Sequence, residues 1–154
     1  ATNLHALVNF ADFTARRGRH QEAEAVLRRA VAAHPHSAEA QHGLALAIAR
    51  QGRASEALGL LAEAARLRPE EPRYAYAQAI TLHQLRRTDE AVAVLRINIA
   101  SHSRHRDSLI ALATIERDRA NLAEAERLAA AAVALEPGDR AAAALYMQLR
   151  ALRQ

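Results

Sequence analysis

The sequence repeats itself every 34 residues. The dipeptide Glu-Ala marks the period, and its glutamates are Glu22, Glu56, Glu90 and Glu124. An alanine precedes each of these dipeptides at a fixed distance, at Ala11, Ala45, Ala79 and Ala113. A unit of this size cannot bury its own apolar face alone, so each copy must pack on its neighbours. The period therefore predicts a stacked array of one structural unit.

The composition indicates that the unit is helical. Alanine, which favours helices, is abundant, and aromatic residues make up only 3% of the chain. Four prolines and five glycines are too few for the many turns of a multi-stranded sheet. Pro35, Pro69 and Pro137 end the second helix-length segment of three copies. We predict helices at 4–17 and 20–33, 38–51 and 54–67, 72–85 and 88–101, 106–119 and 122–135, and 140–154.

The period, the Glu-Ala positions and the prolines resemble the tetratricopeptide repeat, a helix–turn–helix unit of 34 residues. The resemblance implies an all-α, right-handed α-solenoid that forms a single domain over residues 1–154. Its repeats would occupy 4–37, 38–71, 72–105 and 106–139, with a C-terminal capping helix at 140–154. The alternative for this last helix is the start of a fifth repeat. Because residue 1 is alanine, we expect the chain to be part of a longer protein.

The third repeat departs most from the pattern. Arg86 stands where two other repeats have the turn glycines Gly18 and Gly52, and Asn98 replaces a small alanine. A buried amide needs a hydrogen-bond partner. Asn98 is therefore either a partner contact or hinge, or a core residue whose amide is satisfied by a neighbouring carbonyl. We favour the second interpretation.

No catalytic motif is present. The sequence has no cysteine, no glycine-rich phosphate loop and no nucleophile elbow, and its serines fall at predicted helix starts or turns, where they act as caps or loop residues. The histidines include His34, His36, His102 and His105, which lie in predicted loops without a carboxylate at helical spacing. We therefore predict that the chain is not an enzyme and holds no metal and no cofactor.

The resemblance implies that the first helices line a concave groove for a protein or peptide partner. Of these groove residues, Leu46, Tyr76, Ile80 and Ile110 would form an apolar strip. The alternative is that Leu46 and Ile80 pack on neighbouring helices, which leaves only Tyr76 and Arg73 exposed. The predicted groove residues are Asn9, Asp12, His42, Leu46, Arg73, Tyr76, Ile80, His83, Ile110 and Arg117.

The best-known ligand of this family is an acidic C-terminal peptide of chaperones, held by basic and amide side chains at five groove positions. The chain has Val8, Asp12, Gly43 and Ala77 at four of these positions, and only Arg73 matches. We therefore do not expect a chaperone carboxylate clamp.

All 21 basic residues are arginines, and the net charge is +4. Nine of them collect where first helices turn into second helices, at Arg16, Arg17, Arg19, Arg50, Arg53, Arg86, Arg87, Arg117 and Arg119. This arginine edge is either a contact for an acidic partner or a set of cations that favour helix C-termini and solubility. We favour the second interpretation, and we expect no nucleic-acid partner because aromatic residues for base stacking are absent. No uncharged stretch of the sequence, Leu128–Leu135 among them, reaches the length of about 20 residues that a membrane span needs.

A narrower resemblance involves the segments Pro72–Ala77 and Arg106–Ala113. They are similar to repeat arrays attached to bacterial periplasmic multihaem cytochrome-type proteins, which implies an accessory domain of a larger enzyme assembly. A further alternative is self-association, or packing on an upstream domain, through the apolar face formed by Leu4, Leu7 and Phe10. The sequence leaves open a bacterial cytoplasmic or periplasmic location.

Overall fold

The computed structural model describes residues 3–154, and within that range the backbone forms nine α-helices and no strand. Helices α1 to α9 span Leu4–Arg16, His20–Ala33, Ala38–Ala49, Ala54–Leu67, Pro72–Gln84, Thr88–Ser101, Arg106–Asp118, Leu122–Leu135 and Arg140–Leu152. The all-α class predicted from the sequence is confirmed.

Every helix begins at the residue predicted from the period. The second helices also end where predicted, whereas α1, α3, α5, α7 and α9 end one or two residues earlier than expected. The first helices of the repeats stop early because the chain must leave the helical conformation to make the tight turn into the next helix. None of the helices described between residues 3 and 154 is long and apolar enough to cross a bilayer.

The chain divides into two compact units, residues 1–86 and residues 87–154. In unit 1, each helix from α1 to α5 packs on the next, and α1 also contacts α3. In unit 2, α6 to α9 pack in the same sequential way, and α7 contacts α9. In unit 1, α1 and α3 therefore lie side by side, and in unit 2 α7 and α9 do the same. The single domain over residues 1–154 stays a prediction.

Small residues form the centre of the core. The alanines before and within the Glu-Ala dipeptides are essentially inaccessible to solvent: Ala11, Ala23, Ala45, Ala57, Ala79, Ala91, Ala113 and Ala125. Leu27, Leu61 and Leu95 are buried at one equivalent position of three repeats. A methyl group at a crossing point lets two helix backbones approach closely, and the leucines fill the space beside it. The buried positions of the core therefore recur every 34 residues, as the sequence pattern does.

The turn between the two helices of each repeat uses a left-handed residue. Gly18 and Gly52 have φ of 78° and 80°, and Arg86 and Ala120 adopt the same conformation with φ of 63° and 62°. Glycine enters this region without steric cost, whereas a residue with a Cβ atom does not. The turn geometry is thus kept in all four repeats even where the glycine is not.

Three of the helices described, α1, α3 and α9, have a side-chain cap at the N-terminus. The Ser37 hydroxyl accepts a hydrogen bond from the Ala40 amide at 3.1 Å, and Asn3 caps α1 in the same way. Asp139 caps α9 by accepting from two backbone amides, and it also pairs with Arg106. The Arg106 guanidinium and these amides lower the pKa of the Asp139 carboxyl to about 2. This helix start is therefore tied to α7 within unit 2.

Helix α9 shows two faces of different character. Leu145 and Leu149 are buried, but Leu152 is exposed because the helix ends at that residue. Met147 is 61% exposed, although it occupies the position at which all four repeats have a buried alanine. The outer face of α9 therefore lacks the small residue that a packed second helix requires.

Candidate functional site

The predicted groove residues of unit 1 all lie on first helices and all reach the surface. Asn9 and Asp12 on α1 are exposed, and so is Arg73 on α5. The others are half-buried: His42, Leu46, Tyr76, Ile80 and His83. Neither of the two predicted arrangements is matched fully, because Tyr76 is covered to a degree similar to that of Leu46 and Ile80. We call the exposed side of α1, α3 and α5 the first-helix surface.

A small cleft opens on this surface between α1 and α3, with a volume of about 50 Å³. Gly43 has no side chain, and a Cβ atom there would lie only 3.1 Å from Leu27 Cδ2, so the glycine lets Leu27 of α2 reach the cleft. The remaining lining is apolar apart from one acid and one base: Val8, Ala11, Asp12, Ala15, Leu46, Ala47 and Arg50.

The cleft offers a shallow aliphatic contact next to one acidic side chain, Asp12, and one basic side chain, Arg50. The Asp12 carboxylate is already paired with Arg16 at 3.0 Å on its own helix. The Arg50 guanidinium takes no ion pair among the residues that the structure describes. Arg50 can therefore donate to an acidic or carbonyl group of a bound chain.

An aromatic cluster adjoins the cleft on α3 and α5. The His42 and Tyr74 rings meet edge to face, with centroids 5.1 Å apart. The Arg73 guanidinium lies 4.7 Å from the centre of the Tyr74 ring and donates to the Tyr74 hydroxyl at 2.9 Å. Arg73 is thereby held in place although it is exposed.

Burial lowers the pKa of His42 to about 4, and the charges of Arg73 and Arg50 act in the same direction. The imidazole is therefore neutral at pH 7, when it can both donate and accept a hydrogen bond. Tyr74 was missed in the sequence, which favoured Tyr76. The period contains the signal, because Ala40 and Ser108 at equivalent positions are buried too.

The predicted groove residues of unit 2 lie on α7. Ile110 and Arg117 are both half-buried. The Arg117 guanidinium pairs with Asp118 at 2.8 Å and donates to the Gln148 side chain at 3.3 Å. Arg117 thus links α7 to α9 within this unit.

Most of the arginine edge is neutralised within the chain. Arg53 illustrates the arrangement: it sits just before α4 and pairs with Glu56 at 2.5 Å and with the buried Glu24 at 2.9 Å. A pair at the same spacing recurs at the start of α2 and α6, formed by Arg19 with Glu22 and by Arg87 with Glu90. Arg19, Arg53 and Arg87 are therefore ion-pair partners at helix N-termini, and not the helix-C-terminal cations of the favoured interpretation.

Glu24 is the most enclosed carboxylate of unit 1. It accepts hydrogen bonds from Arg28 at 2.7 Å, from Gln51 at 2.6 Å and from Arg53 at 2.9 Å. Burial by itself would raise the pKa of the Glu24 carboxyl, but these three donors outweigh it and lower that pKa below its ordinary value. The group fastens α2 to the turn between α3 and α4 and is not poised for catalysis.

Asn98 is a buried core residue with a satisfied amide. Its Nδ2 donates to the Ser108 hydroxyl at 2.9 Å, and His105 Nδ1 lies 2.8 Å from the same hydroxyl. The favoured interpretation of Asn98 as a core residue with a satisfied amide holds, and the Ser108 hydroxyl is one of its partners. Ser108 is buried inside α7 and is not a cap, and His105 is half-buried and not a solvated loop residue.

No group of three or more histidine, aspartate or glutamate side chains within residues 3–154 is arranged to hold a metal ion. The acidic groups with a lowered pKa are all paired with arginine: Glu24, Glu56, Glu63, Glu70, Glu90, Glu124 and Asp139. Such carboxylates stay ionised at neutral pH and serve as structural ion-pair partners.

One family model and several solved structures are similar to this chain. A family model described as anaphase-promoting complex, cyclosome, subunit 3 matches residues 16–97. No curated protein matches the sequence.

Solved structures share the fold at low sequence identity. PilF of Pseudomonas aeruginosa is 18% identical over 95% of this chain and 67% of its own, with a TM-score of 0.84. MamA from Desulfovibrio magneticus RS-1 is 18% identical over 99% of this chain and 96% of its own, with a TM-score of 0.75. YrrB, described as a TPR protein with an unusual peptide-binding site, is 19% identical over 96% of this chain and 76% of its own, with a TM-score of 0.73.

Proposed function

The chain belongs to the tetratricopeptide-type family of anaphase-promoting complex, cyclosome, subunit 3, and from that membership we propose that it is a non-catalytic scaffold for protein–protein interaction. It binds an extended or helical segment of a partner protein on the first-helix surface of unit 1. The partner contacts are the predicted groove residues of this unit.

The cleft between α1 and α3 is the single observation that carries the proposal. It combines the exposed flank of Leu46 with a floor that Gly43 opens to Leu27, and Arg50 stands beside it without an ion pair to any residue from Asn3 onwards. An aliphatic side chain of a bound peptide fits this shape, and a neighbouring backbone carbonyl or carboxylate suits the guanidinium. The printed description of YrrB as peptide-binding supports the same use of a similar fold.

The surrounding charges favour a partner that is not strongly acidic. Arg73 is engaged with Tyr74, and Asp12 keeps a negative charge at the cleft. The neutral His42 adds a hydrogen-bonding group without a charge. This is a mixed surface, in contrast to the basic clamp that recognises a chaperone C-terminus. Ile110 and Arg117 on α7 remain predicted contacts of unit 2.

A peptide selection tests the proposal. A phage library of short random peptides is panned against the purified chain, and enriched peptides are synthesised and titrated with the wild type and with Leu46→Asp. We expect the variant to bind at least about tenfold more weakly, because a charge replaces the apolar contact of the cleft. Ile97→Asp is the matched control, since Ile97 lies on α6 and is already exposed.

Tyr76→Ala combined with Ile80→Asp probes the α5 part of the surface in the same titration. We expect loss of binding with an unchanged helical circular dichroism spectrum. Failure to enrich any peptide over an unrelated protein, or equal binding by Leu46→Asp and wild type, would contradict the proposal.

Self-association is the alternative function. The exposed side chain of Phe10 supports it, because it offers an apolar contact to a second copy. Leu4 and Leu7, which the sequence grouped with Phe10, are half-buried. The association with a multihaem cytochrome-type assembly stays a prediction from the sequence.

A further inference from the structure

Arg50 follows the last residue of α3 and has lost the acidic partner that the equivalent arginine keeps. One repeat earlier, Arg16 pairs with Asp12 at 3.0 Å, and the two residues lie one turn apart on α1. On α3 the position of Asp12 is occupied by Leu46. The exposed Arg50 guanidinium therefore takes no ion pair within residues 3–154. The second repeat keeps the cation of this pair and has an apolar side chain in place of its acid.

Both members of the altered pair line the cleft between α1 and α3. Leu46 contributes to its aliphatic wall, and Arg50 stands one helical turn further along α3. Arg50 is the one basic residue among the lining side chains that the structure describes. Asp12 lines the cleft from α1, and its charge is engaged by Arg16. A single carboxylate of a bound chain can therefore pair with Arg50, whereas Asp12 opposes a second one.

The volume of the cleft limits the side chain that can enter it. A cavity of about 150 Å³ holds a benzene ring. The cleft has a volume of about 50 Å³, which is roughly one third of this size. Gly43 keeps the floor open, because a Cβ atom there would lie 3.1 Å from Leu27 Cδ2. The space suits the side chain of alanine or valine and is too small for an aromatic ring.

The spacing of the floor and the cation suits an extended chain. Gly43 and Arg50 are seven residues apart in sequence, which corresponds to about 10 Å along α3. Residues two apart in an extended chain point to the same side and are separated by about 7 Å. The length of the arginine side chain covers the remainder. A bound helix would instead need a row of apolar contacts at i, i+4 and i+7, and a cleft of this size accepts one side chain.

We propose that the cleft recognises an extended peptide segment in which alanine or valine enters at Gly43 and an aspartate or glutamate two residues away pairs with Arg50. The bound chain then supplies to Arg50 the carboxylate that Asp12 supplies to Arg16. Gly43 and Arg50 are the residues that determine specificity. This recognition pattern rests on the proposed function, because it states which kind of segment the first-helix surface of unit 1 binds.

A synthetic peptide array tests the pattern. Peptides of about ten residues carry valine, alanine or phenylalanine at one fixed position and aspartate, asparagine or lysine two positions to either side, with random mixtures elsewhere. The strongest valine–aspartate peptide is then titrated against the full chain by fluorescence anisotropy. Phenylalanine in place of the valine should weaken binding at least about tenfold. Gly43→Ala should weaken binding of the valine peptide at least about fivefold, because the added Cβ atom fills the floor.

Exchanging the charges isolates the role of Arg50. For the wild type, asparagine in place of the peptide aspartate should weaken binding at least about fivefold, and for Arg50→Gln the two peptides should bind equally. Arg50→Glu should prefer the lysine peptide. Arg50 is exposed and lies beyond the end of α3, so both variants keep the fold. Arg29→Glu is the matched control, since Arg29 is an exposed residue of α2 that does not line the cleft, and it should keep the preference for aspartate.

The outcomes separate this recognition pattern from the proposed function. If no peptide binds more strongly than it does to an unrelated protein, or if Leu46→Asp binds the titrated peptide like the wild type, both are overturned. If Leu46→Asp loses binding but Arg50→Gln keeps the full preference for aspartate over asparagine, only the recognition pattern is overturned. A further set on the array places the acidic residue four positions from the valine. A preference confined to that set would indicate a helical segment and would also overturn the pattern.

Discussion

Arg86 holds the same left-handed turn conformation that Gly52 holds one repeat earlier. Their φ angles are 63° and 80°, and each residue follows the first helix of its repeat. Replacing glycine by a residue with a Cβ atom has not changed the turn, so the surrounding helices impose its geometry. The third and fourth repeats therefore carry the steric cost of a Cβ atom at positive φ, at Arg86 and Ala120.

We predict that Arg86→Gly and Ala120→Gly each stabilise the protein, by about 1 kcal/mol, because glycine relieves the steric strain at positive φ. The free energy of unfolding is measured by urea denaturation. Gly52→Ala is the reciprocal control and should lose a similar amount. A lower stability of Ala120→Gly, which changes no charge, would show that the turn is not strained.

The contact between Asn98 and Ser108 should show energetic coupling. Asn98→Ala and Ser108→Ala each leave a buried polar partner behind, and each should cost about 1–3 kcal/mol of unfolding free energy. The double variant recreates the alanine pair found at Ala30 and Ala40 and should cost less than the sum. A double-mutant cycle in urea measures the coupling, and strictly additive losses would argue against the hydrogen bond.

Glu24 should matter more for stability than its neighbour Glu22. Glu24→Ala removes the acceptor shared by Arg28, Gln51 and Arg53, and we expect a loss of about 1–3 kcal/mol. Glu22→Ala breaks an exposed pair with Arg19 and should change stability by less than about 0.5 kcal/mol. Thermal unfolding of both variants checks this contrast. Equal effects would mean that the buried network contributes no more than a surface pair.

His42 should make stability depend on pH. The pKa of His42 is about 4 in the folded chain and 6.5 in the unfolded chain, so between these values only the unfolded chain takes up the proton. The folded state is favoured fully above pH 6.5 and loses stability as the pH falls towards 4. Between pH 7 and pH 5 we expect a loss of about 1–2 kcal/mol from this group, the lower end reflecting partial solvent access.

Urea denaturation of the wild type and of His42→Gln at both pH values isolates the contribution of His42. The variant should lose less stability than the wild type on going from pH 7 to pH 5. The same pH dependence in both proteins would rule out a buried neutral imidazole at this position.

The helices were predictable from the sequence because the core and the sequence share one period. A buried alanine such as Ala45 recurs at the same place in every repeat, and the helix limits follow from it. The period placed Arg86 at the turn position of Gly18 and Gly52, but the arginine side chain itself gives no sign of a left-handed backbone, which is imposed by packing. The period indicated the helix, but only coordinates show the backbone angle.

The side chains that differ between repeats were harder to place. Tyr74 and Tyr76 are two residues apart on α5, and although composition does not tell them apart, the buried equivalents of Tyr74, Ala40 and Ser108, do. Tyr74 is buried because α5 turns that position towards α4, where Ala64 makes room for the ring. The hydroxyl partner of Asn98 was missed for a similar reason, since the pairing joins two helices. The first-helix contacts to a partner stay predictions until a ligand is bound.

The side chain of Met147 determines where a duplicated 34-residue unit could be added to the array. A 34-residue unit spliced between residues 37 and 38 would meet helices that keep alanine at the crossing point, as Ala11 and Ala45 do. A unit joined after Leu152 would need to seat its second helix against Met147, which is too long for that crossing. Replacing this one methionine with alanine would let the second helix of an added repeat pack on α9 at that crossing.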